Sequence, residues 1–318
     1  MRPRLKKIVM WALTYRCNMT CEYCFLREKI KCWDEVSDDD CLRIAEKMAS
    51  DLSWKPDAVW LTGGEPTVRK CLPKIIRILE NSGIKCIVTT NGLCSNNMLQ
   101  ELIAASPRGI NVSLESFDDE VNNESRGHTK RIVQSLEEIG RTKSPYTTLG
   151  VSCVISPEAI EQLACFAKNI KNVGVEYLSM NPLIGGNNCY HEEDFKTLKE
   201  MRERVAKDIG LLVPSEFYFS LVEDCHLNRR EICIPCPAGE SYLFISPWGD
   251  VFPCSNEFWQ TQDINNVNFL NEESFTNVFC RVRERYGTDD ISTGSACFGE
   301  RCIGCWKLYY DTIFTEGN

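Results

Sequence analysis

The chain has 318 residues, 43% of them hydrophobic and 25% charged, with a net charge of -9. That is the balance of a soluble globular protein, long enough for one large or two smaller domains. The acidic excess disfavours a nucleic-acid binder, which would carry a basic surface, and no apolar run approaches the roughly 18 residues of a spanning helix.

The start, Met1–Lys7, is basic, and a short apolar run follows. It has no small-residue cleavage site and reads as a strand rather than a signal peptide. A cytoplasmic chain with reduced thiols is therefore expected. Nineteen cysteines are the compositional outlier; they suggest metal, and an anaerobic or low-oxygen cell. Only three histidines are present, which argues against a His-rich zinc or non-haem iron site.

Apolar runs then alternate with amphipathic ones. Strands are expected at Ile8–Thr14, Ala58–Thr62, Cys86–Thr90, Ile110–Leu114, Leu149–Ile155 and Glu176–Met180. Helices are expected at Asp38–Ser50, Leu72–Asn81, Asn97–Ala105, Arg131–Gly140, Pro157–Lys171 and Glu192–Ile209. Such alternation builds an α/β fold with a parallel sheet and helices outside it. Six units make a partial (β/α)6 barrel, open where eight would close. From Val213 the character changes. Turns, aromatics and cysteines crowd together, and helical period returns only at Phe275–Arg285. Two domains are expected, 1–212 and 213–318, the second small, cysteine-rich and supported by metal.

Ligands of parallel α/β folds bind outside the carboxyl ends of the strands, and the unusual motifs fall there. Cys17-Asn18-Met19-Thr20-Cys21-Glu22-Tyr23-Cys24 follows the first strand. A loop this short can wrap three thiolates around one metal centre, whereas a closed structural site takes four ligands. One position stays open for something reactive; a zinc site or ordinary buried thiols are the plain alternative. Gly63-Gly64-Glu65-Pro66 follows the second strand. Its glycines allow close backbone approach to a ligand, and Pro66 fixes the exit. Exposed carbonyls and the Glu65 carboxylate suit an ammonium group. Thr89-Thr90-Asn91-Gly92 closes the third strand, and Asn111-Val112-Ser113-Leu114-Glu115 closes the fourth. Arg126 and His128 come after it; His128 reads as a surface loop residue.

The triplet, in this order with Gly63–Pro66, resembles the radical S-adenosylmethionine (SAM) enzymes. The resemblance implies a [4Fe–4S] cluster on Cys17, Cys21 and Cys24, with its free iron chelated by the amine and carboxylate of SAM. One electron then cleaves the sulfonium and leaves a 5′-deoxyadenosyl radical, which takes hydrogen from unactivated carbon. The cofactors carry that chemistry, and the protein supplies position and exclusion of water. The same resemblance implies that Tyr23 packs near the adenine and that Gly63-Gly64-Glu65-Pro66 holds the SAM amino group. Ser113, Thr90, Asn91 and Glu115 would contact its carboxylate or ribose, with Arg126 in the same cofactor-binding set. Local satisfaction of these polar groups is the alternative. An electron donor such as flavodoxin or ferredoxin is also implied.

Leu61–Arg69, Thr89–Gly92 and Ile110–Leu114 with Arg126-Gly127 look like the GTP cyclase of molybdopterin biosynthesis, over roughly residues 8–155. The C-terminal half departs from it. No Asn-Arg-Leu-Arg-Leu-like basic run follows the later cysteines, and the chain ends Glu316-Gly317-Asn318 rather than in paired glycines. Gly150 stands where that family has a SAM-contacting lysine.

In the second half, Cys236 leads into Tyr242–Ser246, then Trp248-Gly249-Asp250, then Cys254. Alternating residues on both sides of the glycine predict a β-hairpin. Cys302-Ile303-Gly304-Cys305 adds two thiols from one tight turn. Cys236, Cys254, Cys302 and Cys305 make four soft ligands. Their order resembles the twitch domain, the one-cluster form of the SPASM extension, which implies an auxiliary [4Fe–4S] cluster beside the substrate. Zinc in the same thiolates is the alternative. Cys225, Cys233 and Cys297 are candidate hydrogen-atom donors, as in radical SAM epimerases; Cys233 also reads as a spare thiol or a replacement ligand. Cys32, Cys41, Cys71, Cys86, Cys94, Cys153, Cys165, Cys189 and Cys280 read as small apolar fillers.

These readings predict an enzyme that oxidises, epimerises or crosslinks a peptide or small polar metabolite. Sixteen residues precede Cys17, so no built-in leader-binding domain is expected. A relative of the GTP cyclase is one alternative. A non-catalytic cysteine metal-binding module is the other; it explains the cysteines, but not why three further motifs converge on the same strand ends.

Overall fold

The computed structural model describes residues 7–24, 26, 34–183, 190–227, 238–239, 241–255 and 267–286. Strands β1 (Ile8–Thr14), β2 (Ala58–Gly63), β3 (Lys85–Thr90), β4 (Gly109–Ser113), β5 (Thr148–Ile155) and β6 (Tyr177–Pro182) lie side by side in chain order. Every neighbouring pair among them is parallel. Helices α1 (Asp38–Ser50), α2 (Leu72–Asn81), α3 (Asn96–Ala104), α4 (Asp119–Ser125), α5 (Thr129–Thr142) and α6 (Leu163–Asn172) connect them. This is the α/β architecture of a partial barrel.

Alternation along β1 separates two interiors, because successive strand side chains point to opposite faces. Val9, Trp11 and Leu13 are buried in one cluster with Ile44, Ala45 and Met48 of α1 and Ile75, Ile76 and Leu79 of α2. Ala12, on the other face, is buried with Tyr15, Leu26, Phe244 and Phe252, and Met10 and Cys24 pack against this second cluster. Each fully buried aliphatic side chain contributes about 1.5–3 kcal/mol, so the helix-covered face holds the fold together. Helix α1 is started by a capping box in which Ser37 and Asp40 satisfy each other's backbone N–H, a device worth about 1 kcal/mol. Cys41, Cys71, Cys86 and Cys153 are buried as expected of fillers. Cys165 and Cys280 are exposed, a correction: the buried stripe of α6 runs through Leu163, Ala164, Phe166, Ala167 and Ile170 and leaves Cys165 outside it. Cys32 and Cys189 lie outside the described residues.

Beyond β6, the run from Glu192 is helix α7 to Arg204, then a π turn over Val205–Ile209 that Gly210 ends at φ +75°. The expectation of no helix between Val213 and Phe275 is corrected by α8 (Glu216–His226). Its contiguous aromatics hide the period. Phe217 is exposed, while Tyr218, Phe219 and Val222 form the buried face. The expected hairpin is present as β7 (Tyr242–Ile245) and β8 (Asp250–Phe252), with Gly249 at φ +81° in the turn. β7 pairs in parallel with β1, Met10 opposite Phe244. The hairpin therefore continues the barrel's sheet, and β9 (Val267–Asn268) and α9 (Phe275–Tyr286) follow. No described helix is long and apolar enough to cross a membrane.

Candidate functional site

The cysteine loop leaves β1 at Thr14, and the end of β2 lies against its first residues. Gly64 N donates to Thr14 O at 2.7 Å and Glu65 N to Arg16 O at 2.9 Å. A Cβ on Gly63 would stand 2.1 Å from Thr14 O, and one on Gly64 would stand 2.4 Å from Arg16 O. Gly63 also holds φ at +133°, a region glycine enters without steric cost. The two glycines are thus required by chain-on-chain contact with the cysteine loop, beyond the expected approach to a ligand.

Glu65 is fully buried. Its Oε1 accepts from Thr67 N at 3.0 Å, Thr67 Oγ1 at 2.7 Å and Thr90 Oγ1 at 2.8 Å, and its Oε2 accepts from Asn91 N at 2.6 Å. Four donors turn the carboxylate inward, so it ties the end of β2 to the end of β3. Burial raises its pKa above the usual carboxylate range, and the hydrogen bonds oppose that rise. Pro66, also buried, opens the short 3-10 turn Pro66–Val68 that follows.

Asn91 continues the connection towards the thiols. Its Nδ2 donates to Asn18 Oδ1 at 2.8 Å and lies 3.7 Å from Cys17 Sγ, while its Oδ1 accepts from Leu93 N at 2.8 Å. Thr90 and Asn91 therefore join Glu65 to the first cysteine.

Tyr23, Glu115 and Arg126, proposed separately from sequence, form one cluster. Arg126 Nε donates to Glu115 Oε2 at 2.7 Å and its NH2 to Glu115 Oε1 at 2.9 Å; Tyr23 OH donates to Glu115 Oε1 at 2.8 Å. Arg126 NH2 also bonds the Tyr23 hydroxyl, and the guanidinium carbon stands 5.5 Å from the centre of the Tyr23 ring. The remaining nitrogen, NH1, lies 3.9 Å from Cys21 Sγ. Burial and the Glu115 charge push the Tyr23 phenol far above its ordinary value. The loop is anchored here by its backbone too, through Glu22 N to Ser125 O at 3.0 Å. His128 is exposed at the start of α5, at φ +58°.

Ser113 ends β4 in a row that sequence reasoning missed. It stands opposite Ser152 of β5, which stands opposite Ser179 of β6. Asn181 Nδ2 donates to Ser152 Oγ at 3.1 Å and Ser179 Oγ at 2.9 Å. Small polar residues two apart at strand ends were the available clue. One row lower, Asn111, Gly150 and Tyr177 stand opposite one another. A Cβ on Gly150 would lie 2.6 Å from Tyr177 Cδ1 and 2.9 Å from Asn111 Oδ1. Gly150→Ala is therefore expected to cost about 1–3 kcal/mol by overpacking, read as a lower midpoint in denaturant unfolding.

Three thiolates are a donor set that an iron–sulfur cluster takes. Cys17, Cys21 and Cys24 stand close enough to feel one another's charge, and burial raises the Cys17 and Cys21 thiols while Arg126 pulls Cys21 back down. Among the described residues no group of three Cys, His, Asp or Glu side chains is arranged to hold one metal ion. Cys254, after β8, is partly buried. Cys233, Cys236, Cys297, Cys302 and Cys305 lie outside the described residues, as does the side chain of Cys225.

The sequence profile of the radical SAM superfamily matches residues 11–168. Among curated relatives, the GTP 3′,8-cyclase of Thermodesulfovibrio yellowstonii is 28% identical over 212 residues, covering 63% of this chain and 63% of its own length. The mycofactocin maturase MftC of Mycolicibacterium smegmatis is 24% identical over 288 residues, covering 86% of this chain and 71% of its own. Among solved structures, Streptococcus suis SuiB bound to the precursor peptide SuiA superposes with a TM-score of 0.67 at 19% identity, over 86% of this chain and 64% of that one. At that identity the likeness speaks for the fold alone. The fold, the order of its motifs and the profile match agree, and through residues 11–168 the chain belongs to the radical SAM superfamily.

Proposed function

We propose that this chain generates a 5′-deoxyadenosyl radical from SAM and uses it to take hydrogen from a carbon of a peptide, leading to oxidation, epimerisation or crosslinking. One observation carries the reading. A continuous polar network runs from Glu65 through Thr90 and Asn91 to Cys17, and the Arg126–Glu115–Tyr23 cluster meets the same loop at Cys21. A cluster on the three thiols would supply the electron that cleaves SAM there. The chain's own groups do the rest. The Gly63–Glu65 turn holds the loop's first residues by backbone bonds, and Asn91 and Arg126 direct N–H groups at two of the thiols. Cys24, packed against the apolar set of Ala12, Tyr15, Leu26, Phe244 and Phe252, helps to exclude water.

Two points speak for a maturase-type reaction over GTP cyclisation. The resemblance to the GTP cyclase would place a SAM-contacting lysine at Gly150, where the Tyr177 ring leaves no room for a side chain. The match to MftC, a maturase, covers 86% of this chain, against 63% for the cyclase. An auxiliary cluster on Cys236, Cys254, Cys302 and Cys305 and a flavodoxin- or ferredoxin-type electron donor belong to the same proposal. Anaerobically purified protein should carry about eight irons per chain if both clusters are present. With dithionite and SAM it should release 5′-deoxyadenosine. Colourless protein that binds zinc, or iron-loaded protein that leaves SAM intact, would refute the proposal. Deuterium passing from a labelled peptide into deoxyadenosine would identify the substrate.

A further inference from the structure

The cysteine loop has a buried clasp at its base. The chain leaves β1 at Thr14 and, past the cysteines, its described path resumes at Asp34. Glu35 there turns back onto the point of departure. Its Oε1 accepts from Tyr15 N at 2.7 Å and its Oε2 from Thr14 Oγ1 at 2.7 Å. Arg69, just past the Pro66–Val68 turn, holds the same carboxylate with NH2 at 3.1 Å. Its Nε donates to Leu13 O at 3.2 Å, and its NH1 donates to Val36 O at 2.8 Å and to Asp38 Oδ1 at 3.1 Å. The two side chains are 4% and 5% exposed, and every guanidinium nitrogen is engaged.

We propose that Glu35 and Arg69 are positioning residues that close the base of the cysteine loop and set its height against the Gly63–Glu65 turn. Net stability is a poor explanation for such a pair, since packed apolar side chains often replace a buried ion pair without loss. Apolar side chains could not bond Leu13 O, Tyr15 N and Val36 O at once. Those three groups belong to the two chain segments that enter and leave the loop. The turn that presses on Thr14 and Arg16 also leads directly into Arg69. One rigid unit therefore fixes both the loop's base and the cradle beside it. Closing a loop of roughly 20 residues carries an entropic cost, which the clasp meets before any metal binds. Its effect on SAM passes through the backbone alone, as outer groups around a metal site commonly act.

The inference rests on the three thiols holding the cluster, and its test separates the two ideas. Arg69→Lys keeps the charge but loses the fork that reaches Leu13 O and Val36 O; Glu35→Gln keeps the shape but loses the charge. Wild-type and variant proteins are reconstituted anaerobically. Thermal unfolding of the metal-free form, bound iron, and the change that added SAM makes in the electron paramagnetic resonance spectrum of the reduced cluster are then measured. The expected result is a lower but still cooperative unfolding midpoint, because one partner of a buried pair is lost, with iron content nearly unchanged and the SAM titration shifted to concentrations about 10–100-fold higher. The double variant should be no worse than the weaker single one, because neighbours acting as a unit are not additive. Titrations within twofold of wild type in iron-loaded variants overturn the clasp and leave the proposed function standing. So does failure of both single variants to fold without metal, which makes the pair structural. Wild-type protein that takes up no iron overturns both.

Discussion

Alanine at Cys17, Cys21 or Cys24 is expected to abolish release of 5′-deoxyadenosine from SAM while removing about half of the bound iron. The loop provides three thiolates, and losing one leaves two, too few to keep a cluster in place with an iron free for SAM. The remaining iron belongs to the proposed auxiliary site, whose ligands come from another part of the chain. The fold should survive each change. Cys17 is exposed, and Cys21 and Cys24 are only partly buried. The surrounding fastenings also remain: Asn91 still bonds Asn18, and Arg126 still bonds Glu115 and Tyr23. Iron and sulfide assays, chromatography of the nucleoside and the unfolding midpoint of the metal-free protein read the three parts separately. Full cleavage activity in any one variant would mean that these thiols do not hold the reactive cluster.

The strands and most helices were legible because their information is local. Ile8–Thr14 is an apolar run with turn residues after it, and Asp38–Ser50 is an amphipathic period that opens behind Ser37; both keep their expected bounds. Helix α8 was not legible, since three consecutive aromatics, Phe217, Tyr218 and Phe219, blur the 3.6-residue stripe. The site divides in the same way. Cys17, Cys21, Cys24 and Gly63–Pro66 announce themselves by spacing. The direction in which Glu65 points is decided by Thr90 and Asn91, which reach it from the end of the neighbouring strand. Glu35 and Arg69 are 34 residues apart in sequence, and neither lies in a motif that demands the other. Ser152, Ser179 and Asn181 become a row only when strand register aligns them with Ser113. Composition and period carry what a segment does alone; pairings between segments need the fold.

Gly64→Ala should have an effect nearly as large as loss of a cysteine, by a different route. The added Cβ would lie 2.4 Å from Arg16 O, 2.7 Å from Tyr15 O and 2.8 Å from Arg16 C. All three are backbone atoms, so no rotamer change relieves the overlap. Either the turn or the start of the cysteine loop must move, and the bonds Gly64 N to Thr14 O and Glu65 N to Arg16 O go with it. A displacement near 1 Å at a site that must hold reactants in line costs about 100-fold in rate. Cleavage of SAM should therefore fall about 100-fold while most of the iron stays, because the thiols remain on their own loop. Gly83→Ala is the control. Gly83 also has a positive φ, +85°, but nothing stands within 4 Å of its added Cβ. That variant should lose about 1 kcal/mol of stability through backbone strain and cleave SAM at the normal rate. If Gly64→Ala instead behaves like Gly83→Ala, the glycine turn and the cysteine loop are not one unit, and the contact at Arg16 O has no part in placing SAM.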